Sequence, residues 1–320
     1  MDTVKIFELI DNKDIRAVAY VHTVTDINYQ DKNGNTMLHR AAMNENHEIL
    51  DFLIYKKADV NIKNKSFFTA LVICVYTDDS QAVEKLLKAG ADTEIAESNG
   101  CTPLVIAVDK NHQKIVQLLI NYKANTNIIN TKTGEPLILS CRDKSLRTIF
   151  INAGSNVLSS DNEGICTVHQ IIDDNDVEML ELLKNRGFNF NALLPDGYMP
   201  LYQTPLMYAA DSQETACIKK LLDYKADIYY QHKNSANCFI GYLALYQQDE
   251  IFNEIISKAD KKNFSKLKIQ LEKYTNYYSD DKINYINAQK YIALMNKVEM
   301  YDNLNKELKE KDSYGRKNKI

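Results

Sequence analysis

Apolar residues recur along this chain in short helical clusters, punctuated by an Asp or Asn at nearly constant spacing. The punctuating residues are Asp26, Asp59, Asp92, Asn125, Asn156, Asn189, Asp227 and Asp260, with successive differences of 33, 33, 33, 31, 33, 38 and 33. Between them stand paired aliphatics, Ile49-Leu50 with Leu53-Ile54 and Ile115-Val116 with Leu118-Leu119, at the spacing of one buried helix face. A period of 33 with helical patterning predicts a stack of two-helix units, each burying its apolar side on its neighbours. After Lys261 the period stops. Phe264, Leu267 and Leu271, then Ile283, Ile286 and Lys290, then Tyr291, Ile292, Met295, Val298, Leu304 and Leu308 predict two longer helices, about 263–276 and 280–310, with a frayed end after Asp312.

The second unit reads Asp31-Lys32-Asn33-Gly34-Asn35-Thr36-Met37-Leu38-His39-Arg40-Ala41-Ala42 and ends Ala58-Asp59-Val60-Asn61. The fourth keeps Gly100, Thr102-Pro103-Leu104, Ala107 and Ala124-Asn125. This pattern resembles the ankyrin repeat, and it recurs in phase over residues 1–260. The resemblance implies an all-α ankyrin-repeat solenoid, helix-turn-helix repeats with β-hairpin loops, followed by a C-terminal helical extension. About eight repeats are expected, counting degenerate caps at Val4–Asn28 and His232–Asp260, with 261–320 a basic helical tail whose end is disordered.

Local chemistry fits these roles. Threonine suits a helix N-cap, proline the first turn, and Gly90 a left-handed helix end. Phe67 falls where other repeats have glycine. His39 and His169, at the TxLH position, are expected to tie neighbouring repeats by hydrogen bonds. His47 and His112 are read as one equivalent position at the start of the second helix. The unit Asn130–Asn156 lacks two residues, placed between its helices, and five extra lie between Asn191 and Thr204.

Charge separates the chain into two parts. Residues 261–320 carry 14 Lys+Arg against 8 Asp+Glu, and residues 1–260 carry 25 against 35. The basic tail interleaves its lysines with acids, which argues against nucleic acid. No apolar run approaches the ~18 residues of a membrane span, so no membrane insertion is expected. The N-terminus is too charged for a secretory signal. The chain is therefore expected to be cytoplasmic as synthesised, or delivered into a host cell by a route that leaves no N-terminal mark. Its abundant Asn, Lys and Ile suggest an AT-rich genome.

Candidate chemistry is sparse. The six cysteines are dispersed with no CxxC, the Cys166/His169 pair alone cannot build a four-ligand zinc site, and no phosphate-binding loop or hydrolase signature occurs. No catalytic residue, metal or cofactor is expected. Six cysteines behave better as small buried hydrophobes.

The resemblance implies a monomeric protein-binding module that uses hairpin tips and the concave face of the first helices. Carried onto this chain, the partner-binding candidates are Tyr76, Lys110, Arg142, Asp173, Asp174, Asp176 and Asp211, with Tyr198 and Tyr202 from the inserted loop 194–202. The acidic members predict a partner with a basic segment. An effector of an intracellular bacterium acting on a host protein is the expected setting, with residues 305–320 suited to an export signal. The alternatives are an endogenous cytosolic scaffold or inhibitor and, more remotely, an enzyme with an unrecognised site.

Overall fold

A computed structural model describes residues 3–14, 16–21, 26–196, 202–232 and 236–317. The chain divides into two compact units, Met1–Asn162 and Glu163–Ile320. The first holds the helix pairs α1 (Thr3–Asp11) and α2 (Arg16–Val21), α3 (Met37–Met43) and α4 (His47–Tyr55), α5 (Ala70–Tyr76) and α6 (Ser80–Lys88), and α7 (Pro103–Asp109) and α8 (Gln113–Asn121). A 3-10 helix, Leu137–Ser140, and α9 (Lys144–Asn152) complete it. The second unit holds α10 (Thr167–Asp173) with α11 (Val177–Asn185), α12 (Pro205–Asp211) with α13 (Thr215–Asp223), and α14 (Phe239–Leu245) with α15 (Asp249–Lys258). Two longer helices follow, α16 (Lys261–Tyr277) and α17 (Lys282–Lys317).

Six of the first helices, α3, α5, α7, α10, α12 and α14, are seven residues long, and in four of them a threonine sets the start. Thr36, Thr69, Thr102 and Thr204 accept hydrogen bonds from the backbone three residues on, and Pro103 and Pro205 occupy the first turn. These helices are apolar almost all round, from Ala70 to Val75 in α5 and Pro103 to Val108 in α7, because they are packed from several sides. The second helices bury one stripe, such as Ile49, Leu50 and Leu53. Gly90 ends α6 at φ +93°, as a left-handed helix end requires.

The constant Asp or Asn step has a physical cause. Asp59 Oδ1 accepts from the Asn61 N–H at 2.9 Å, closing a turn, and the same bond recurs at Asp26, Asp92, Asn125, Asn156, Asn189 and Asp227. Two residues later a side-chain oxygen reaches the next repeat. Asn28, Asn61, Glu94 and Asn127 accept from the backbone N–H of Asp59, Asp92, Asn125 and Asn156 in the first unit, and Asn191 from that of Asp227 in the second. Asp260 breaks the series: it caps α16 by accepting from the Asn263 N–H at 2.8 Å, so the chain leaves the repeats directly into the tail.

The hairpin loops form without strands among the described residues, carrying only isolated bridges at Ile129–Pro136 and Gln231–Cys238. Their glycine positions take positive φ, +76° at Gly34 and +77° at Gly100. Phe67 and Tyr202 occupy the same place at +64° and +52°, where a side chain is strained. Phe67 is 54% exposed, with the Lys63 ammonium 5.7 Å from its ring centroid. Phe67→Gly is therefore expected to raise stability by about 1 kcal/mol, measured by urea denaturation.

Three readings are corrected. The two-residue deficit lies in the first helix of its repeat, which shrinks to the 3-10 turn Leu137–Ser140. Cys101 precedes its second helix by twelve positions and Glu135 by nine, while the hairpin tip gains one residue, closing Asn130 to Glu135 instead of Glu97 to Cys101. His47 and His112 are not equivalent: His47 is the first residue of α4, whereas His112 is the N-cap of α8. The N-cap set is Asn46, Asp79 and His112, spaced by 33. Last, α17 extends beyond the expected end at 310 to Lys317, following the helix-favouring run of Lys, Glu and Leu at 306–311.

The tail helices lie against the last repeat. Gly241 of α14 has no side chain, and the ring of Tyr274 on α16 fills the space, 1% exposed. Ala288, Tyr291 and Met295 give α17 one buried stripe, and Asn287 donates to the Leu245 carbonyl at 3.0 Å.

Candidate partner-binding surface

In the first unit, the structure joins two of the three expected residues. Tyr76 ends α5 and donates its hydroxyl to Glu97 Oε2 at 2.8 Å, while the Lys110 ammonium lies 5.3 Å from its ring centroid. Burial, reinforced by the Glu97 carboxylate, pushes the Tyr76 phenol up to about 12. Tyr76 and Lys110 thus link neighbouring repeats and present one partly open patch.

Arg142 is exposed and lines a cleft of about 420 Å³ beside the shortened helix. The floor is apolar, with Val108, Leu139 and Leu146. The rim is polar and largely engaged. Asp109 accepts from Lys132 at 2.7 Å and Asn130 at 3.0 Å, and Asp143 accepts from Gln113 at 2.6 Å. The Asp109 hydrogen bond holds the Lys132 ammonium above its ordinary pKa.

In the second unit two of the four acidic candidates, Asp173 and Asp211, are clasped by tyrosines. Asp173, the last residue of α10, accepts from the Tyr208 hydroxyl at 2.9 and 3.1 Å. Asp211, at the same place in α12, accepts from Tyr246 at 2.9 Å and Gln203 at 2.7 Å. Asp249 and Tyr291 form a third such pair. Burial, with the neighbouring carboxylate, pushes Tyr208 and Tyr246 up to about 12 and keeps both phenols neutral donors. Spacing alone missed these clasps, although a signal existed: Tyr208 follows Asp173, and Tyr246 follows Asp211, by 35 residues.

The acidic candidates therefore differ in role. Asp173 and Asp174 are exposed at the end of α10. Asp211 is half-buried between Gln203 and Tyr246. Asp176 is the N-cap of α11, accepting from the Met179 N–H at 3.0 Å. Tyr202 stacks on the His232 ring at 3.7 Å between centroids, and its N–H donates to Asp196. Tyr198 lies outside the described residues, as do Met199 and Leu201.

The histidines and cysteines have structural duties. His39 Nδ1 accepts from the Thr36 N–H at 3.1 Å, so Nε2 carries the proton it donates to the Phe68 carbonyl of the next repeat at 2.9 Å. His169 Nδ1 likewise accepts from the Cys166 N–H at 3.1 Å, which accounts for the CxxH spacing without a metal. All six cysteines are buried thiols, with Cys217 in a second helix; burial pushes Cys141 and Cys217 up to about 12. No cluster of three or more metal-ligating side chains occurs among the described residues, and no described helix is long and apolar enough to cross a membrane.

The comparisons agree with this geometry. The family model for ankyrin repeats (three copies) matches residues 6–97 and 71–161, and that for a single ankyrin repeat matches residues 202–233. No curated protein matches the chain. Those matches cover more than half of the sequence, including the TxLH histidine bridge at His39, and the chain belongs to the ankyrin-repeat family.

Proposed function

We propose that this chain is a non-catalytic module that binds a partner protein, and that Asp173 and Asp174 receive a basic segment of that partner. Ankyrin repeats bind other proteins, which carries the general reading. The observation behind the finer one is the exposed carboxylate pair at the end of α10, within a body that holds 35 acidic against 25 basic residues. Asp211 supports the pair from the next repeat but is held by Gln203 and Tyr246, so changing it would confound binding with folding. The informative variant is Asp173→Asn with Asp174→Asn, which keeps an acceptor for Tyr208. In a pull-down from host-cell lysate it should recover roughly tenfold less partner than wild type. Equal recovery overturns the acidic-edge assignment.

Delivery into a host cell as a bacterial effector is the setting we favour. The Asn, Lys and Ile bias and the charged segment 305–320 support it. Removing residues 305–320 should abolish translocation in a delivery assay, and undiminished delivery would refute this setting.

A further inference from the structure

The tail helix α17 has a second seam. Its first, Ala288, Tyr291 and Met295, is buried against its own unit. On another face Ile283, Lys290, Leu294, Lys297 and Tyr301 follow the four- and three-residue steps of a heptad, with Ile286 beside them; the position at 287 is half-buried, its Asn donating to the Leu245 carbonyl. Ile283 is 71% exposed, Ile286 56% and Tyr301 61%. The seam is about 27 Å long, enough for five turns of a partner helix.

We propose that this face of α17 docks an amphipathic helix of another protein whose apolar stripe carries carboxylates seven residues apart. Charge complementarity selects that occupant. Lys290 and Lys297 stand within the apolar row, one heptad apart, and neither forms an ion pair among the described residues; the Lys290 ammonium lies 5.5 Å from its neighbour Tyr291's ring centroid. Covering the row with a purely apolar surface would strip water from two ammonium groups without compensation. A helix bearing Glu or Asp at matching positions gives each lysine a counter-charge while Ile283, Leu294 and Tyr301 pack on its leucines. A lipid bilayer fits worse, because interfacial helices keep lysines on the polar side and not in the middle of the apolar stripe. A parallel second copy would set each lysine against itself. The seam is independent of the Asp173–Asp174 edge, so either assignment can fail alone.

The probe is a fluorescent synthetic helix of about 21 residues with leucines at seam positions and glutamates seven apart, titrated with the full chain. A control peptide carries lysines instead. The glutamate peptide should bind, and Lys290→Glu with Lys297→Glu should weaken it about tenfold and switch preference to the lysine peptide. Both side chains are exposed, so the variant should keep the wild-type circular dichroism and melting behaviour. Equal binding of both peptides, or a variant with wild-type preference, overturns the proposal. So does light scattering that shows α17 mediating self-association, or capture by phosphatidylserine vesicles in place of the peptide.

Discussion

Replacing Gly241 by alanine should destabilise the second unit by about 3 kcal/mol, the largest effect expected of a single added carbon here. A Cβ at that position would stand 2.5 Å from Cδ2 and 2.7 Å from Cγ of the Tyr274 ring. That ring is buried among α14, α16 and Tyr278, whose ring centroid is 4.7 Å away, so it has nowhere to retreat. The cost should fall on docking of the tail: hydrogen exchange would show α16 and α17 losing protection before the repeats do. Tyr274→Ala alone should cost about 4 kcal/mol through lost burial. The double variant should be far less damaged than the sum of the two, because its clash is gone. Additive costs in the double-variant cycle would show that the Gly241–Tyr274 contact is not the cause.

His39→Ala should cost the first unit about 3 kcal/mol, since it strands the Thr36 N–H and the Phe68 carbonyl, two groups that the imidazole joins across repeats. The same histidine should make this unit acid-sensitive. Burial, outweighing its hydrogen bond to Phe68 and the nearby Asp31 charge, holds the pKa of His39 below the ordinary 6.5. Between that lowered value and 6.5 the unfolded chain binds more protons than the native one, so stability falls as pH drops through this window and is flat above it. Urea midpoints at pH 7.5 and 5.5 should therefore converge when wild type is compared with His39→Ala. A constant gap between them would mean that the imidazole does not titrate with folding.

Much of this was legible in the sequence because it is local and repeated. The Asp and Asn steps, the threonine caps and the TxLH histidines each satisfy a backbone group within a few residues, or one repeat away, and the same bond is made many times. Errors arose where a local change had more than one structural solution. A two-residue deficit could shorten a turn or a helix; the chain shortened the helix to a 3-10 turn and lengthened the hairpin by one residue. The inserted stretch ends on Tyr202, which takes a hairpin glycine position at φ +52° and stacks on His232, a placement the insertion's length does not specify.

The candidate surface was legible only as a list. Helix-end positions could be counted along the 33-residue frame, but how far a carboxylate there is covered depends on what reaches it besides the tyrosine hydroxyl of the next repeat, as Gln203 reaches Asp211. Asp173 and Asp211 look alike in sequence, yet one is exposed and the other half-buried between a glutamine and a tyrosine. The tail shows the same division. Its helices follow from periodicity, but α17 is apolar on more than one face, and the pattern alone could not say which would be buried. Ala288, Tyr291 and Met295 take the inner side because α14, with glycine at 241, leaves room for α16 to approach closely and seat α17 beside it. Repeat identity, caps and period were thus determined by the sequence itself, through short-range hydrogen bonds and the 33-residue pattern. Only tertiary packing decided which charges remain open and which face of the tail is left for a partner, because both depend on atoms contributed from a neighbouring repeat or helix.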